Sequence, residues 1–289
     1  MENKYIFLRI DNKEMFFKNI KNANIQKFYL LKKSNIIFKI LRKMNLLRLI
    51  LGTWIFDIKK YNYCIMSENE YIPEISKIVK KKNKNCKTIM YFWNIINENE
   101  KYKKILEDNN IDEFWTFDKN DAKKYNMKFN PQFYNDKIKI DKEETKFDFL
   151  FLGRPKDRKQ ELQNLENILK DKGYSTNFKI IENEKDYIPY GEYLKLVAKS
   201  KCIIDYNQKG QVGLSLRPME ALFFNKKLLT NNSDIKNYDF YCKSNIFVLN
   251  EDNINQIINF MKEPYQSIEL SIVNYYNIDS WIKRFFIEK

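Results

Sequence analysis

The sequence predicts an α/β protein made of two Rossmann-like domains that face each other across a cleft. Strand-like and helix-like segments alternate along the chain, which is typical of a parallel sheet covered by helices. The alternation stops at a polar segment near residue 140 and then begins again. The chain is also long enough for two cores, since it has 289 residues of which 44% are hydrophobic.

The first half of the chain carries four strand patterns and four helix patterns. Short runs rich in β-branched and aromatic residues predict strands at 4–10, 61–67, 87–93 and 112–118. Apolar residues at helical spacing predict helices at 35–52, 70–82, 97–110 and 119–126. The segment 134–146 is charged and has little periodicity, so we interpret it as a linker.

The second half repeats the alternation. Strands are predicted at 147–153, 178–181, 201–206, 226–232 and 244–250. Helices are predicted at 159–173, 191–200, 217–225, 253–262 and 280–289. The predicted organisation is therefore one Rossmann-like domain over 1–140, a second over 147–270, and a C-terminal helical segment over 271–289 that either stands alone or packs back on the first domain.

The charge balance predicts an anionic partner or a compositional bias. The chain has 52 Lys and Arg against 38 Asp and Glu, a formal charge of +14. Nucleic acid, a phosphorylated small molecule or an anionic membrane surface would each suit this charge. Because the lysines are spread along the chain, a general drift toward lysine explains it equally well.

Several classes of chemistry and location are excluded or disfavoured. The chain has no histidine, which excludes Ser-His-Asp machinery, a histidine base and His-containing zinc sites. Its four cysteines form no CxxC pair, so we expect free thiols in a reducing compartment. No apolar run approaches the ~20 residues that span a bilayer. Charged residues interrupt the N-terminal segment early, which disfavours a signal peptide. We expect a cytoplasmic protein, either free or at the inner face of the membrane.

The segment 210–222, GQVGLSLRPMEAL, predicts a phosphate site followed by a ribose site. Gly210 and Gly213 allow a loop to turn sharply and approach a ligand. Arg217 precedes a proline at a predicted helix start, where free N–H groups and the helix dipole attract phosphate. Glu220, one turn later, can accept hydrogen bonds from two vicinal hydroxyls. Together these residues suit a nucleoside diphosphate.

This segment resembles the donor-binding segment of GT-B glycosyltransferases, where a glycine loop precedes a glutamate, a small residue and a strand. The resemblance implies that Glu220 holds the ribose of a nucleotide sugar. The segment 149–159 resembles the first strand and loop of the same domain, where basic residues contact the donor phosphates. The segment 113–126 is similar to the end of the N-terminal domain in bacterial lipopolysaccharide-core and capsular members.

The donor-binding set follows from these segments. Many relatives carry a second glutamate in the glycine loop, whereas this chain offers Asp205, Gln208 and Gln211 there. Arg154 also suits a solvated turn, and Arg217 suits a structural brace. The predicted donor-binding residues are Gly153, Arg154, Lys156, Arg158, Asp205, Gln211, Gly213, Ser215, Arg217 and Glu220. Near them, three tyrosines either stack on the ligand or pack in the core: Tyr187, Tyr190 and Tyr193.

The sequence also bears on metal use and on the catalytic base. No Asp-x-Asp motif occurs, which disfavours the metal-dependent GT-A class. We therefore expect no metal and no cofactor, with basic side chains and a helix dipole stabilising the departing diphosphate. An inverting enzyme would need a base, for which Asp11 and Glu68 are candidates after predicted strands. A retaining enzyme can use the leaving phosphate, and the lack of histidine slightly favours that course.

The expected partners are a nucleotide-sugar donor and a glycan or glycolipid acceptor of the cell envelope. The basic amphipathic segment 35–52 either lies on an anionic membrane or covers a domain core. Nucleic acid is not expected, because basic and aromatic residues form no recognisable RNA- or DNA-binding motif. Two alternatives stay open: a nucleic-acid-binding protein, and a non-catalytic membrane-peripheral protein of the same fold.

Overall fold

A computed structural model describes residues 4–9, 15–17, 20, 24–69, 71–97, 99–249 and 251–287. Residue contacts divide the chain into one compact unit of residues 1–131 and 281–289 and a second of residues 132–280. Each unit contains its own parallel sheet, which confirms the prediction of two Rossmann-like α/β domains. The chain passes between units ahead of the predicted linker, and 135–146 contains neither helix nor strand.

Within its described residues the first unit has a parallel sheet in the order β2-β1-β3-β4-β5-β6. Its strands are β1 (Tyr5–Arg9), β2 (Asn24–Lys27), β3 (Tyr63–Ser67), β4 (Lys87–Phe92), β5 (Glu113–Thr116) and β6 (Lys128–Phe129). Its helices are α1 (Ile36–Lys43), α2 (Trp54–Asp57), α3 (Pro73–Lys82), α4 (Glu100–Leu106) and α5 (Lys119–Lys124).

The central strands of this sheet are buried on both faces. Every residue of β1 is buried, as are all but the first residues of β3 and β4. Such continuous apolar runs are expected where helices cover a parallel sheet. Helix α3 shows the matching pattern, with a proline in its first turn, three lysines in its last turn, and Ile75 and Val79 buried against the sheet.

The second unit contains a five-stranded parallel sheet in the order β8-β7-β9-β10-β11. Its strands are β7 (Phe147–Gly153), β8 (Thr176–Ile180), β9 (Ser200–Asp205), β10 (Lys227–Thr230) and β11 (Ile246–Val248). Its helices are α6 (Lys159–Asp171), α7 (Tyr190–Ala198), α8 (Leu216–Phe224), α9 (Ile257–Lys262) and α10 (Leu270–Tyr275), and α11 (Ile278–Lys283) leads back to the first unit. The strand order reverses between β7 and β9, where open α/β sheets bind ligands.

The predicted helix over 35–52 is too long. Helix α1 ends at Lys43, and residues 47–50 form a separate 3₁₀ turn. The cause is local, because Asn45 adopts a left-handed φ of 57°, which ends an α-helix.

Sequence patterns also missed the short edge strands β2 and β6, whose residues are partly polar. Within the described ranges, no helix is long and apolar enough to cross a bilayer.

The C-terminal residues 281–289 group with the first unit. Trp281 is fully buried and its ring lies 4.9 Å from Tyr91 and 6.2 Å from Phe7, measured between centroids. Asn130 donates a hydrogen bond to the Trp281 carbonyl at 3.1 Å and accepts one from Arg284 Nε at 2.7 Å. The distant end of the chain therefore packs against strands β1 and β4 of the first sheet.

Gly52 provides a test of the close packing beside β2. A Cβ at this position would lie 2.3 Å from the Lys27 carbonyl oxygen, which is a backbone atom that cannot easily move. We expect Gly52→Ala to lower the free energy of unfolding by about 1–3 kcal/mol, measured by urea denaturation. The control is Gly191→Ala in α7, where no atom lies within 4 Å of the new Cβ. Equal effects of the two substitutions would contradict this packing.

Candidate functional site

The candidate site of the second unit lies at the carboxyl ends of β7 and β9, where the strand order reverses. Gly153 ends β7 and Asp205 ends β9. Helix α8 begins beside them, with Ser215 as its N-cap. The Ser215 hydroxyl accepts a hydrogen bond from Arg217 N at 3.2 Å and donates one to Asp205 Oδ1 at 2.7 Å. One hydroxyl thus joins the helix start to the strand end.

Arg217 braces this arrangement. It donates from Nη2 to the Leu152 carbonyl at 2.5 Å, and its Nη1 lies 3.6 Å from Asp205 Oδ1. Its guanidinium carbon lies 5.4 Å from the ring centroid of Phe151. A Cβ on Gly153 would lie only 2.6 Å from Nη2, so the guanidinium fits here only because residue 153 has no side chain. Arg217 therefore acts as a brace and still lines the cavity described below.

Arg158 is a buried cation at the same end of the sheet. Its side chain is 8% exposed, and among the described residues its Nε has no hydrogen-bond acceptor. Burial lowers the pKa of Arg158, the charge of Arg217 lowers it further, and Asp205 partly offsets both effects. Two cations, Arg158 and Arg217, therefore lie close together here, with Asp205 and Asp157 as the nearby carboxylates.

Lys156 adds a third cation from the loop after β7. Its backbone has a left-handed φ of 50°, which costs energy for a residue with a side chain. Its Nζ donates to Gln208 Oε1 at 2.6 Å, linking the loop after β7 to the loop after β9. Desolvation lowers the pKa of Lys156, and the charges of Arg158 and Arg217 add to that effect.

Asp205 is the carboxylate at the centre of these cations. It is fully buried, and its Oδ2 has no hydrogen-bond partner among the described residues. Burial raises the pKa of Asp205, whereas Arg217 and the Ser215 hydroxyl oppose that rise. Asp205 thus anchors Ser215 and Arg217 at the end of β9.

Glu220 is buried and hydrogen-bonded to two tyrosines. Tyr190 donates to Oε1 at 2.7 Å and Tyr193 to Oε2 at 2.6 Å, and the Tyr190 hydroxyl also lies 2.8 Å from that of Tyr134. Burial raises the pKa of Glu220, opposed by the tyrosine hydrogen bonds and by Arg217. Burial also raises the pKa of both tyrosines, so their phenols stay protonated as donors.

A cavity of about 260 Å³ opens between Arg217 and this glutamate–tyrosine cluster. Its lining combines apolar and aromatic side chains with the charged Arg217 and Glu220. Tyr187, in the loop before α7, is 69% exposed and lines the opening. The lining residues are Leu152, Tyr187, Ile188, Tyr190, Tyr193, Leu216, Arg217 and Glu220.

The remaining predicted donor residues lie in the surrounding loops. Arg154 is exposed and follows β7. Gln211 donates to the Gly213 carbonyl at 3.1 Å, so both residues build the loop before α8. Gly210 has the positive φ of 82° expected of a tight turn, whereas Gly213 does not have a positive φ.

The two candidate bases belong to the first unit. Glu68 follows β3 at the point where that sheet also reverses its strand order, between β1 and β3. It is fully buried, and its Oε1 accepts hydrogen bonds from Asn94 Nδ2 at 2.8 Å and Asn69 Nδ2 at 3.1 Å. Asp11 lies outside the described residues.

Sequence patterns missed part of the support for the site. Tyr134, far away in sequence, extends the hydrogen bonds from Glu220 through Tyr190. Asn207 donates from its backbone to Asn231 Oδ1 at 2.6 Å, which fixes the loop after β9 to the end of β10. Asn231 directly follows β10, and an asparagine in that position is the sequence signal that could have identified this pair.

Two solved structures are similar to this chain over nearly its whole length. A glycosyltransferase from Rickettsia africae ESF-5 aligns with a TM-score of 0.52 at 10% identity, covering 99% of this chain and 97% of that one. An alpha-glucosyltransferase in complex with UDP and a mismatched 13-mer DNA aligns with a TM-score of 0.53 at 11% identity, covering 97% and 94%.

At these identities the similarity establishes that the chain shares its fold with these two glycosyltransferases, as the family resemblance in the sequence implies. Neither protein-family models nor curated proteins match the sequence. In the part of the chain that the structure describes, no three Cys, Asp or Glu side chains cluster as metal ligands.

The raised pKa of Glu220 gives a stability prediction with a defined sign. Because the folded state binds this proton more tightly than the unfolded chain, wild-type stability falls as pH rises from the unfolded pKa of about 4.3 through the folded value. Glu220→Gln removes this loss. We expect its free energy of unfolding to exceed that of wild type at neutral pH, with the difference shrinking as pH falls toward 4.3.

The measurement is urea denaturation of both proteins across this pH range. The matched control is Glu192→Gln, which changes an exposed glutamate of the neighbouring helix α7 that pairs with Lys195. A Glu220→Gln difference that is independent of pH would contradict a raised pKa.

Proposed function

We propose that the chain transfers a sugar from a nucleotide-activated donor, which it binds at the switch point between β7 and β9. The observation that carries this proposal is the buried Arg158 guanidinium, whose Nε has no acceptor among the described residues. A buried N–H of a cation that lacks an acceptor is costly, so a site that retains one is expected to bind an anion. The UDP bound to one structural neighbour supports a nucleoside diphosphate as that anion.

The charges at the site suit a diphosphate. Lys156, Arg158 and Arg217 supply three cations against the carboxylates of Asp205 and Asp157. Helix α8 starts beside them and adds the positive end of its dipole. In the GT-B arrangement that we propose for the whole chain, these groups belong to the donor side.

The nucleoside is proposed to occupy the cavity beside Arg217. Each Glu220 oxygen accepts one tyrosine hydroxyl, which leaves each oxygen able to accept one bond from a ribose hydroxyl. Tyr187 and Ile188 offer apolar surface for the base at the cavity opening. The cavity thus offers hydroxyl acceptors and apolar surface on one side of the cations.

Sugar transfer places specific demands on these residues. The bond between the anomeric carbon and the diphosphate oxygen breaks, its electron pair stays on the diphosphate, and an acceptor oxygen bonds to the same carbon. Arg158, Lys156 and Arg217 would stabilise the charge that develops on the diphosphate. In the retaining course, which we favour, the acceptor proton passes to a leaving phosphate oxygen. In an inverting course it would pass to a carboxylate, for which Asp11 and Glu68 remain candidates.

The proposal also covers whether transfer needs a metal ion and which class of molecule accepts the sugar. We propose that transfer needs no metal, because side-chain cations hold the phosphates. The sequence resemblance supports an envelope glycan or glycolipid of the lipopolysaccharide or capsular type as acceptor.

The competing function is nucleic-acid binding, favoured by the net charge of +14 and by the DNA in one neighbouring structure. Tight, steeply salt-dependent binding of duplex DNA would support it instead.

Calorimetric titration of UDP, GDP, CDP and ADP, each with and without EDTA, tests donor binding. We expect one nucleotide to bind equally well in EDTA. Arg158→Met should weaken that binding at least about tenfold, since it removes charge-assisted hydrogen bonds. Arg48→Met, which changes an exposed arginine of the first unit, should leave it unchanged. Wild-type affinity in Arg158→Met, or no binding of any nucleotide, would refute the site.

Gly153 allows a second test through the position of Arg217. The added Cβ of Gly153→Ala would displace the flexible end of Arg217 rather than the backbone. We therefore expect nucleotide affinity to fall about tenfold, while the melting temperature falls less than in Gly52→Ala. Calorimetry and thermal denaturation measure the two effects. A large loss of stability with unchanged affinity would show that Gly153 serves the fold alone.

A further inference from the structure

The segment 27–60 of the first unit has an unusual charge composition. It contains seven lysines, two arginines and a single acidic residue, Asp57. The whole chain has 52 basic and 38 acidic residues, so a general drift toward lysine would have left several acids here. This segment therefore supplies +8 of the net +14.

The same segment exposes large apolar side chains. Of thirteen exposed large hydrophobic residues among those described, seven lie in it, and each is more than half exposed. The seven residues are Leu30, Ile36, Ile37, Ile40, Met44, Leu49 and Phe56. Leu30 N donates to the Ile50 carbonyl at 2.8 Å, which brings the stretches around Leu30 and Leu49 together. Exposed apolar residues that cluster in this way mark an interaction site.

Helix α1 separates its faces clearly. At about 100° per residue, the buried Phe38 and the half-buried Leu41 define the side facing the core. Ile36, Ile40 and Met44 follow one another at four-residue spacing on a different face, and all three are exposed. Ile37 lies beside them. This helix thus has an apolar face that its own domain does not cover.

The cations of α1 lie next to that apolar face. Lys39 and Lys43 are four residues apart and exposed, on the side of the helix away from Phe38. With Arg42 they form the basic edge of the helix. We call the seven exposed apolar residues, together with Lys39, Arg42, Lys43 and Arg48, the apolar–basic surface.

We infer that the apolar–basic surface binds the interface of an anionic lipid bilayer. Aliphatic and Phe side chains would enter the boundary between headgroups and acyl chains, and the flanking cations would contact anionic headgroups. Such binding needs both parts, because a few apolar side chains or a few cations alone bind weakly.

Other occupants fit the surface less well. Nucleic acid would be held by cations and by stacking on aromatic or planar groups, whereas five of the seven exposed apolar residues are leucine or isoleucine. A second copy of the chain would bring the same excess of positive charge against this one, and like charges oppose such pairing. Anionic lipid matches both the apolar residues and the charge.

Vesicle flotation with the full-length protein tests this inference. Vesicles of phosphatidylcholine mixed with phosphatidylglycerol should bind the protein, and pure phosphatidylcholine vesicles should bind it much more weakly. The triple variant Ile36→Ser, Ile40→Ser, Met44→Ser should lose at least about tenfold in affinity. The double variant Lys39→Glu, Lys43→Glu should lose binding to mixed vesicles and the dependence of that binding on salt.

The matched control is Ile168→Ser, Ile258→Ser, which removes two exposed isoleucines of the second unit and should bind like wild type. Equal binding by all variants, equal binding to both vesicle types, or a dimer that the triple variant dissociates in sedimentation velocity would each overturn the inference. So would binding of duplex DNA in place of vesicles. Because no nucleotide is present, failure here leaves the proposed donor site standing, and the reverse also holds.

Discussion

The guanidinium of Arg217 is the group on which the candidate site depends. It joins the Leu152 carbonyl at the end of β7 to Asp205 at the end of β9, and its own helix is capped by the serine that contacts Asp205. Gly153 leaves the space that this guanidinium occupies. Ion pairs with a buried member contribute little net stability compared with apolar packing, so stability alone does not explain why Arg217 pairs with the buried Asp205 at this strand end. The anionic ligand of the proposed function would explain it.

Two kinds of chemistry meet on either side of Arg217. Toward β7 and β9, Arg158 and Lys156 concentrate positive charge, with a left-handed backbone at Lys156. Toward α7, Glu220 is surrounded by phenols that remain protonated. The two ends of a nucleoside diphosphate match these two sides of the site, because its phosphates are anionic and its other end carries hydroxyls and an apolar base. The bilayer binding that we infer for the apolar–basic surface is independent of this site, and it would place the protein where the proposed lipid-borne acceptor lies.

Much of this could be predicted from sequence because buried strands and capped helices are local patterns. Strand β7 was predicted at its observed bounds, and the glycine loop before α8 led to Ser215, Arg217 and Glu220. The sequence could not show that the hydroxyls of Tyr190 and Tyr193 donate to Glu220, because these tyrosines are 30 and 27 positions away along the chain. Nor could it show that α1 ends at Lys43, because one left-handed asparagine decides that. Burial of Arg158 and exposure of Arg154 likewise depend on tertiary packing.

Anomalous diffraction from crystals soaked with a UDP analogue that carries sulfur on its β-phosphate would test the central claim most directly. The account predicts a sulfur peak within hydrogen-bonding distance of the Arg158 and Arg217 guanidinium groups, with the ribose hydroxyls directed toward Glu220. A peak elsewhere on the protein, with Arg158 and Arg217 unmoved and without a ligand, would contradict it. In that case the buried cations at the ends of β7 and β9 would need an explanation within the fold.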